Sequence, residues 1–142
     1  MENIEITTSK AETMWDFLTH QEFLVEKLED NIYKVSRDEE LPVYVSIRNE
    51  NIYFEVDLGD VSSCMNESFL FDLLNSNTEI LPVSFALDNS VETQPHLLLV
   101  ESRETGDLCD KELLSVFDAL ELATDRAESL LSKALKSQPV SA

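Results

Sequence analysis

Two glycines are few for a chain of 142 residues. A phosphate-cradling loop needs glycine where backbone must approach the ligand closely, so P-loop and dinucleotide-binding fingerprints are excluded. No GxSxG, HExxH or GxGxxG pattern occurs either. Basic residues are also scarce, ten against 29 acids, for a net charge of −19. Nucleic-acid phosphates and anionic lipid heads are bound first by neutralising their charge, which this surface is poorly equipped to do. The two cysteines, Cys64 and Cys109, form no CxxC pair. The first thirty residues are acidic and amphipathic, without a basic n-region or apolar h-region, and no run reaches the roughly eighteen apolar residues of a membrane span. Reduced thiols, a cytoplasmic location and no direct membrane insertion are therefore expected.

What remains is enough for a folded domain. The chain is 43% hydrophobic, ordinary for a globular protein, and long enough to build a core without metal or disulfide staples. Ser9 and Glu12 have the spacing of a capping box, and Met14, Trp15, Phe17 and Leu18 share one side of a helical wheel, so a short helix is expected from about residue 10 to 19. QEFLVEKLEDN reads equally as helix extension, turn or strand. From Asn31 the period changes: NIYKVS, PVYVSIR and NIYFEVDL are β-branched and aromatic. Val43, Val45 and Ile47 alternate with Tyr44, Ser46 and Arg48, and Ile52, Phe54 and Val56 alternate with Tyr53, Glu55 and Asp57. Alternation at period two gives each strand one buried and one wet face, as in an antiparallel sheet, and Asn49-Glu50-Asn51 leaves room only for a hairpin.

Gly59 closes the third strand. Asn66 or Ser63 is placed to cap a helix carrying Phe69, Leu70, Leu73 and Leu74. EILPVSFALD alternates at Val83, Phe85 and Leu87, DNSVETQP is a polar loop, and HLLLVES is a compact apolar strand. The last element, about 110 to 136, carries Leu113, Phe117, Leu120, Ala127, Leu131 and Ala134 at helical spacing. Residues 101–130 hold nine acids against three bases, so the other face of this helix is strongly negative. The order α-β-β-β-α-β-β-α predicts an α+β fold, an antiparallel sheet with its helices segregated to one face or end. One domain, 1–136, and a flexible tail, 137–142, are expected.

Reactive chemistry finds little support. A nucleophilic cysteine needs a base, a nearby cation or a helix N-terminus to lower its pKa. Cys64 has Asp57, Asp60 and Glu67 as sequence neighbours, and Cys109 has Asp107, Asp110 and Glu112; carboxylates act in the opposite direction. Neither pairs with His20 or His96 at a structural zinc spacing. Asp88, Ser90 and Glu92 resemble a calcium loop but lack its glycine and its terminal glutamate. No catalytic residue, metal or cofactor is assigned, and the chain is not expected to be an enzyme. The remaining candidates are surfaces. Met14, Trp15 and Phe17 on the first helix, with Tyr44 and Tyr53 on the wet face of the sheet, are the candidate protein-binding residues, against the alternative that the large apolar ones are simply core.

Two resemblances bear on this. IYFEVDLGDVSSCMNESFLFDLLNSNTEILPVSFALDN, followed by HLLLVES and LLSVFDALELATDRAESLL, resembles the YjfI-like family of small acidic bacterial proteins, with the turn at Val61-Ser62-Ser63, the helix from Phe69 to Leu74, the strand at Leu81-Pro82-Val83-Ser84 and the acidic helix from Leu113 to Leu131. That likeness carries no catalytic motif; it implies an accessory role beside phage-shock-type membrane-stress proteins. The element order, length and acidity are similar to the type III secretion chaperones (the Tir chaperone fold), which implies a homodimer that holds a segment of another protein. The expected function is thus a chaperone- or adaptor-like protein-binding module, with a protein or peptide partner and no nucleic acid. The alternatives are a small-ligand binder or enzyme with an acidic pocket, and a regulator of a phage-shock-type system.

Overall fold

The computed structural model describes residues 13–106 and 108–136 and shows nine regular elements and one 3-10 turn among them. In chain order they are α1 (Met14–His20), β1 (Leu24–Glu29), β2 (Ile32–Ser36), β3 (Val43–Arg48), β4 (Asn51–Asp60), the 3-10 turn (Ser62–Cys64), α2 (Glu67–Ser76), β5 (Ser84–Asp88), β6 (His96–Glu104) and α3 (Asp110–Lys136). The ambiguous QEFLVEKLEDN segment is a strand, so four strands rather than three precede α2. The expected capping box at Ser9 and Glu12 and the expected tail lie outside the described residues. The described helix α1 begins at Met14, with Thr13 extended at φ −72°, ψ 159° and its hydroxyl accepting from Asp16 N. At α2 the cap is Asn66, whose Oδ1 accepts from Phe69 N at 2.9 Å.

The strands form one antiparallel sheet in the order β1-β2-β3-β4-β6-β5. β1, β2, β3 and β4 are a meander with pairs such as Val25↔Val35, Tyr33↔Val45 and Val45↔Phe54. β4 and β6 run opposite ways: Val61 N donates to Pro95 O, and Thr105 N donates to Glu50 O, both at 2.9 Å. The shortage of glycine shows in the turns. Arg48 pairs with Asn51, leaving a two-residue turn in which Asn49 (φ 49°) and Glu50 (φ 65°) are both left-handed, as a tight hairpin requires. Asn31 (φ 63°) and Asp38 (φ 50°) take similar positions; short polar side chains tolerate that region best after glycine.

The chain packs as two compact units. The first ends at Val56 and takes in the described residues of Val100–Asp118; the second comprises Asp57–Leu99 and the described residues from Ala119 to Lys136. In the first, Met14, Leu18, Phe23, Val35, Val45, Ile52, Phe54, Leu113 and Phe117 are buried. Phe117 sits 4.7 Å from the Phe23 ring and 5.8 Å, edge-on, from the Phe54 ring. In the second, Val61, Phe69, Leu73, Val83, Leu97, Leu99, Leu120 and Ala127 are buried. Four expected core positions are not: Leu74 is 71% and Leu87 42% exposed, and Leu70 and Leu131 are half-buried.

Candidate functional site

In the first unit the meander presents two unlike faces. Residues 43, 45 and 47 point into the core, so Tyr44, Ser46 and Arg48 stand on the outer face, as do Tyr53 and Glu55 from β4. Tyr44 lies between Lys34 and Glu55 on the neighbouring strands, and the Arg48 guanidinium covers the Tyr53 ring at 4.4 Å. Both tyrosines are half-buried. They are rigid, amphipathic contact area beside cations that are scarce elsewhere in the chain.

Beside this face runs an open edge. β1 pairs with β2 on one side and ends the sheet, so among the described residues its other row of backbone groups has no strand beside it and could take a further one. Leu24 is 70% exposed and Leu28 46%. The register shifts between Lys27 and Glu29, and Glu26, Lys27 and Glu29 add charge along the strand. A bulge and charges are the devices that blunt an edge against indiscriminate pairing.

The other three candidate contact residues lie inside. Met14 is fully buried, Phe17 is 6% exposed, and Trp15 stacks on Tyr33 with ring centroids 3.7 Å apart. A seven-residue helix is too short to persist alone, so its stability comes from packing this apolar side. In the single chain they anchor α1 and offer no surface.

Also in the first unit, Glu101 on β6 has a buried side chain, 2% exposed, bound through Oε1 by Arg103 Nη2 at 2.7 Å and Nε at 3.1 Å. Its Oε2 has no partner among the described residues. Burial pushes its pKa up, against the opposing pull of the Arg103 bond and charge. A shallow depression of about 340 Å³ lies between the β3–β4 turn and residues 104–106, lined by Asn49, Glu50, Asn51, Glu104, Thr105 and Gly106. Its acids, Glu50 and Glu104, are exposed.

The second unit holds the sequence's other titratable candidates. Cys64 is buried and its Sγ donates to Val61 O at 3.5 Å. Burial, then the Asp60 charge, raises its thiol pKa, so the reactive thiolate is disfavoured. It is a joint between β4 and α2. His96 Nδ1 meets both Asp57 oxygens, at 3.0 and 3.1 Å. The imidazole pKa is raised, first by the Asp57 hydrogen bond and then by the charges of Asp57, Asp60 and Asp88, with desolvation opposing. The folded state therefore holds this proton more tightly than the unfolded chain. Its contribution to stability is complete below the unfolded histidine pKa near 6.5 and is lost as pH rises through the higher folded value. Urea midpoints measured from pH 6 to about 8.5 should fall for the native chain, and His96→Ala should flatten that slope.

Among the described residues, no group of three or more His, Cys, Asp or Glu side chains is arranged to hold a metal ion, and no helix is long and apolar enough to cross a membrane. The second unit instead exposes apolar side chains that the periodicity had assigned to the interior or passed over. Phe71 (67%) and Leu74 (71%) project from α2, and Leu122 (72%) from α3, with Leu81 (68%) ahead of β5. Apolar spacing in the sequence marks a helical stripe, but not which flank of it is covered.

No family model matches the chain, and no curated protein matches it by sequence. Solved structures do match by fold. A chain of the ExoU–SpcU heterodimeric complex from the type III secretion system of Pseudomonas aeruginosa aligns with a TM-score of 0.66 at 20% identity, over 82% of this chain and 96% of that one. The Yersinia pestis type III secretion chaperone SycH, solved with a stable fragment of YscM2, aligns at 0.58 and 24% identity, over 82% and 95%. YbjN from E. coli, a putative transcription regulator, aligns at 0.53 and 12% identity, over 87% and 89%. At these identities the likeness is one of fold, and the chain has the α+β fold seen in type III secretion chaperones and in YbjN.

Proposed function

We propose that this protein is a cytoplasmic, non-enzymatic binding module of chaperone or adaptor type, which holds an extended segment of another polypeptide and works as a homodimer. The observation that carries the reading is the β1 edge, open among the described residues, with exposed Leu24 and Leu28, beside an outer sheet face bearing Tyr44 and Tyr53. An added strand would take its affinity from main-chain hydrogen bonds along β1 and its selectivity from side-chain matching to Leu24, Glu26 and Lys27. The fold supports this, since SycH and the ExoU–SpcU complex were each solved with a protein partner. Met14, Trp15 and Phe17 act indirectly, by holding α1 in place. The acidic surface keeps the complex soluble.

The resemblance to YjfI-like proteins supports a second, narrower reading in which the partner is a basic helix of a phage-shock-type protein and the contact is the acidic face of α3. The two separate by salt: an exposed charge-driven contact weakens as ionic strength rises, whereas strand addition is largely insensitive. Affinity capture from the native host at low and high salt is the test. A polypeptide retained by the native chain at high salt, and lost with Leu24→Asp, supports strand addition. Retention unaffected by Leu24→Asp overturns it.

A further inference from the structure

The second unit contains an apolar depression of about 310 Å³ whose floor is Ile80, Ala119 and Ala123, with Leu81 and Leu122 on its rim. Ala119 and Ala123 are one turn apart on α3, and their small side chains leave the hollow; Leu122, between them in sequence, stands 72% exposed. The two charged residues at the margin, Glu79 and Arg126, bind each other at 2.7 Å between Oε2 and Nη2. The lining is therefore neutral in a chain of net charge −19.

That neutrality favours a second copy of this chain over a cationic partner. Two copies of a polyanion repel over most of their surface, and they approach at least cost where the facing charges cancel. A cationic partner, by contrast, gains more almost anywhere else on the molecule. The patch also offers both members of a complementary set: an apolar hollow with room for a leucine and a leucine beside it, and an acid with a base. Self-complementarity of that kind is what a two-fold interface requires, since each residue must suit its counterpart on an identical surface.

We propose that this depression is the homodimer contact, with Leu122 of each copy seated in the other's hollow and the Glu79–Arg126 pairs exchanged across the two-fold axis. The proposal rests on the homodimer reading above and assigns it a surface. Extended, exposed leucines on a soluble chain are accounted for by such burial. Salt should tighten the association by screening the flanking acids, opposite to the behaviour of a charge-driven contact.

Sedimentation equilibrium on the full chain tests it. Leu122→Glu, at an exposed position where folding is undisturbed, should weaken self-association by more than about tenfold. Glu79→Arg and Arg126→Glu should each be monomeric alone, because each opposes like charges across the axis, and should pair when mixed. A dimer indifferent to Leu122→Glu and to the charge exchange overturns the assigned surface and leaves self-association standing. A native chain that stays monomeric at every concentration overturns both.

Discussion

Replacing Phe117 with alanine lowers the free energy of unfolding by about 3–5 kcal/mol, the usual cost of removing a buried phenylalanine. Phe117 is 3% exposed and bridges the Phe23 ring from the loop after α1 and the Phe54 ring from β4, so three separate segments lose a shared contact. The loss has two parts, the transfer free energy of the ring and the cavity left among neighbours that relax only partly. Folded domains have only about 5–15 kcal/mol in hand, so the variant should lie near the edge of stability. Urea titration followed by far-UV circular dichroism checks it: the midpoint falls and the slope does not change. Phe71→Ala is the control. That ring is 67% exposed on α2, and its removal should shift stability by no more than about 0.5 kcal/mol.

The second large effect comes from a charge. Arg103→Ala leaves the Glu101 carboxylate, 2% exposed, without its partner. Breaking one side of a buried pair costs about 3 kcal/mol or more, because an uncompensated charge stays in a poorly solvated place. The sign with pH is opposite to that of a surface carboxylate. Glu101 has its pKa raised by burial, so the folded state binds a proton more readily than the unfolded chain does. Its penalty is absent below the ordinary glutamate pKa and grows as pH rises through the folded value. Removing Arg103 takes away the two influences that lower that value, and the destabilisation should therefore be large at pH 7 and shrink toward pH 4–5. Paired urea midpoints for the native chain and the variant across this range measure it. Glu101→Gln combined with Arg103→Ala should recover much of the loss at neutral pH, since no charge then remains buried.

Much of the sheet could be read from the chain because its strands have one covered face. Val43, Val45 and Ile47, then Ile52, Phe54 and Val56, alternate with polar or aromatic neighbours, and those residues are buried as the period demands. β1 escaped the same test for a physical reason. Nearly every residue from Leu24 to Glu29 is exposed, so no face imposes a period, and Glu26, Lys27 and Glu29 suit a helix as well as a strand. The candidate site divides along similar lines. Tyr44 and Tyr53 occupy the outer face expected from alternation. Met14, Trp15 and Phe17 are buried because so short a helix exists only by packing, a fact about length rather than residue type. Leu81 and Leu122 carried no signal of exposure, since a leucine next to a buried stripe looks in sequence like part of it. Glu101 did leave a trace: Arg103, two residues along the same strand, shares its face and supplies the compensating charge.

The proposed hold on an extended polypeptide is tested most directly by amide hydrogen exchange on the full chain, alone and saturated with the polypeptide it captures. The β1 amides from Leu24 to Glu29 that face away from β2 should exchange freely in the lone chain and slow at least about tenfold in the complex, since each gains a main-chain acceptor. Unchanged exchange along β1, with protection confined to α3 or to the loops, would contradict the account.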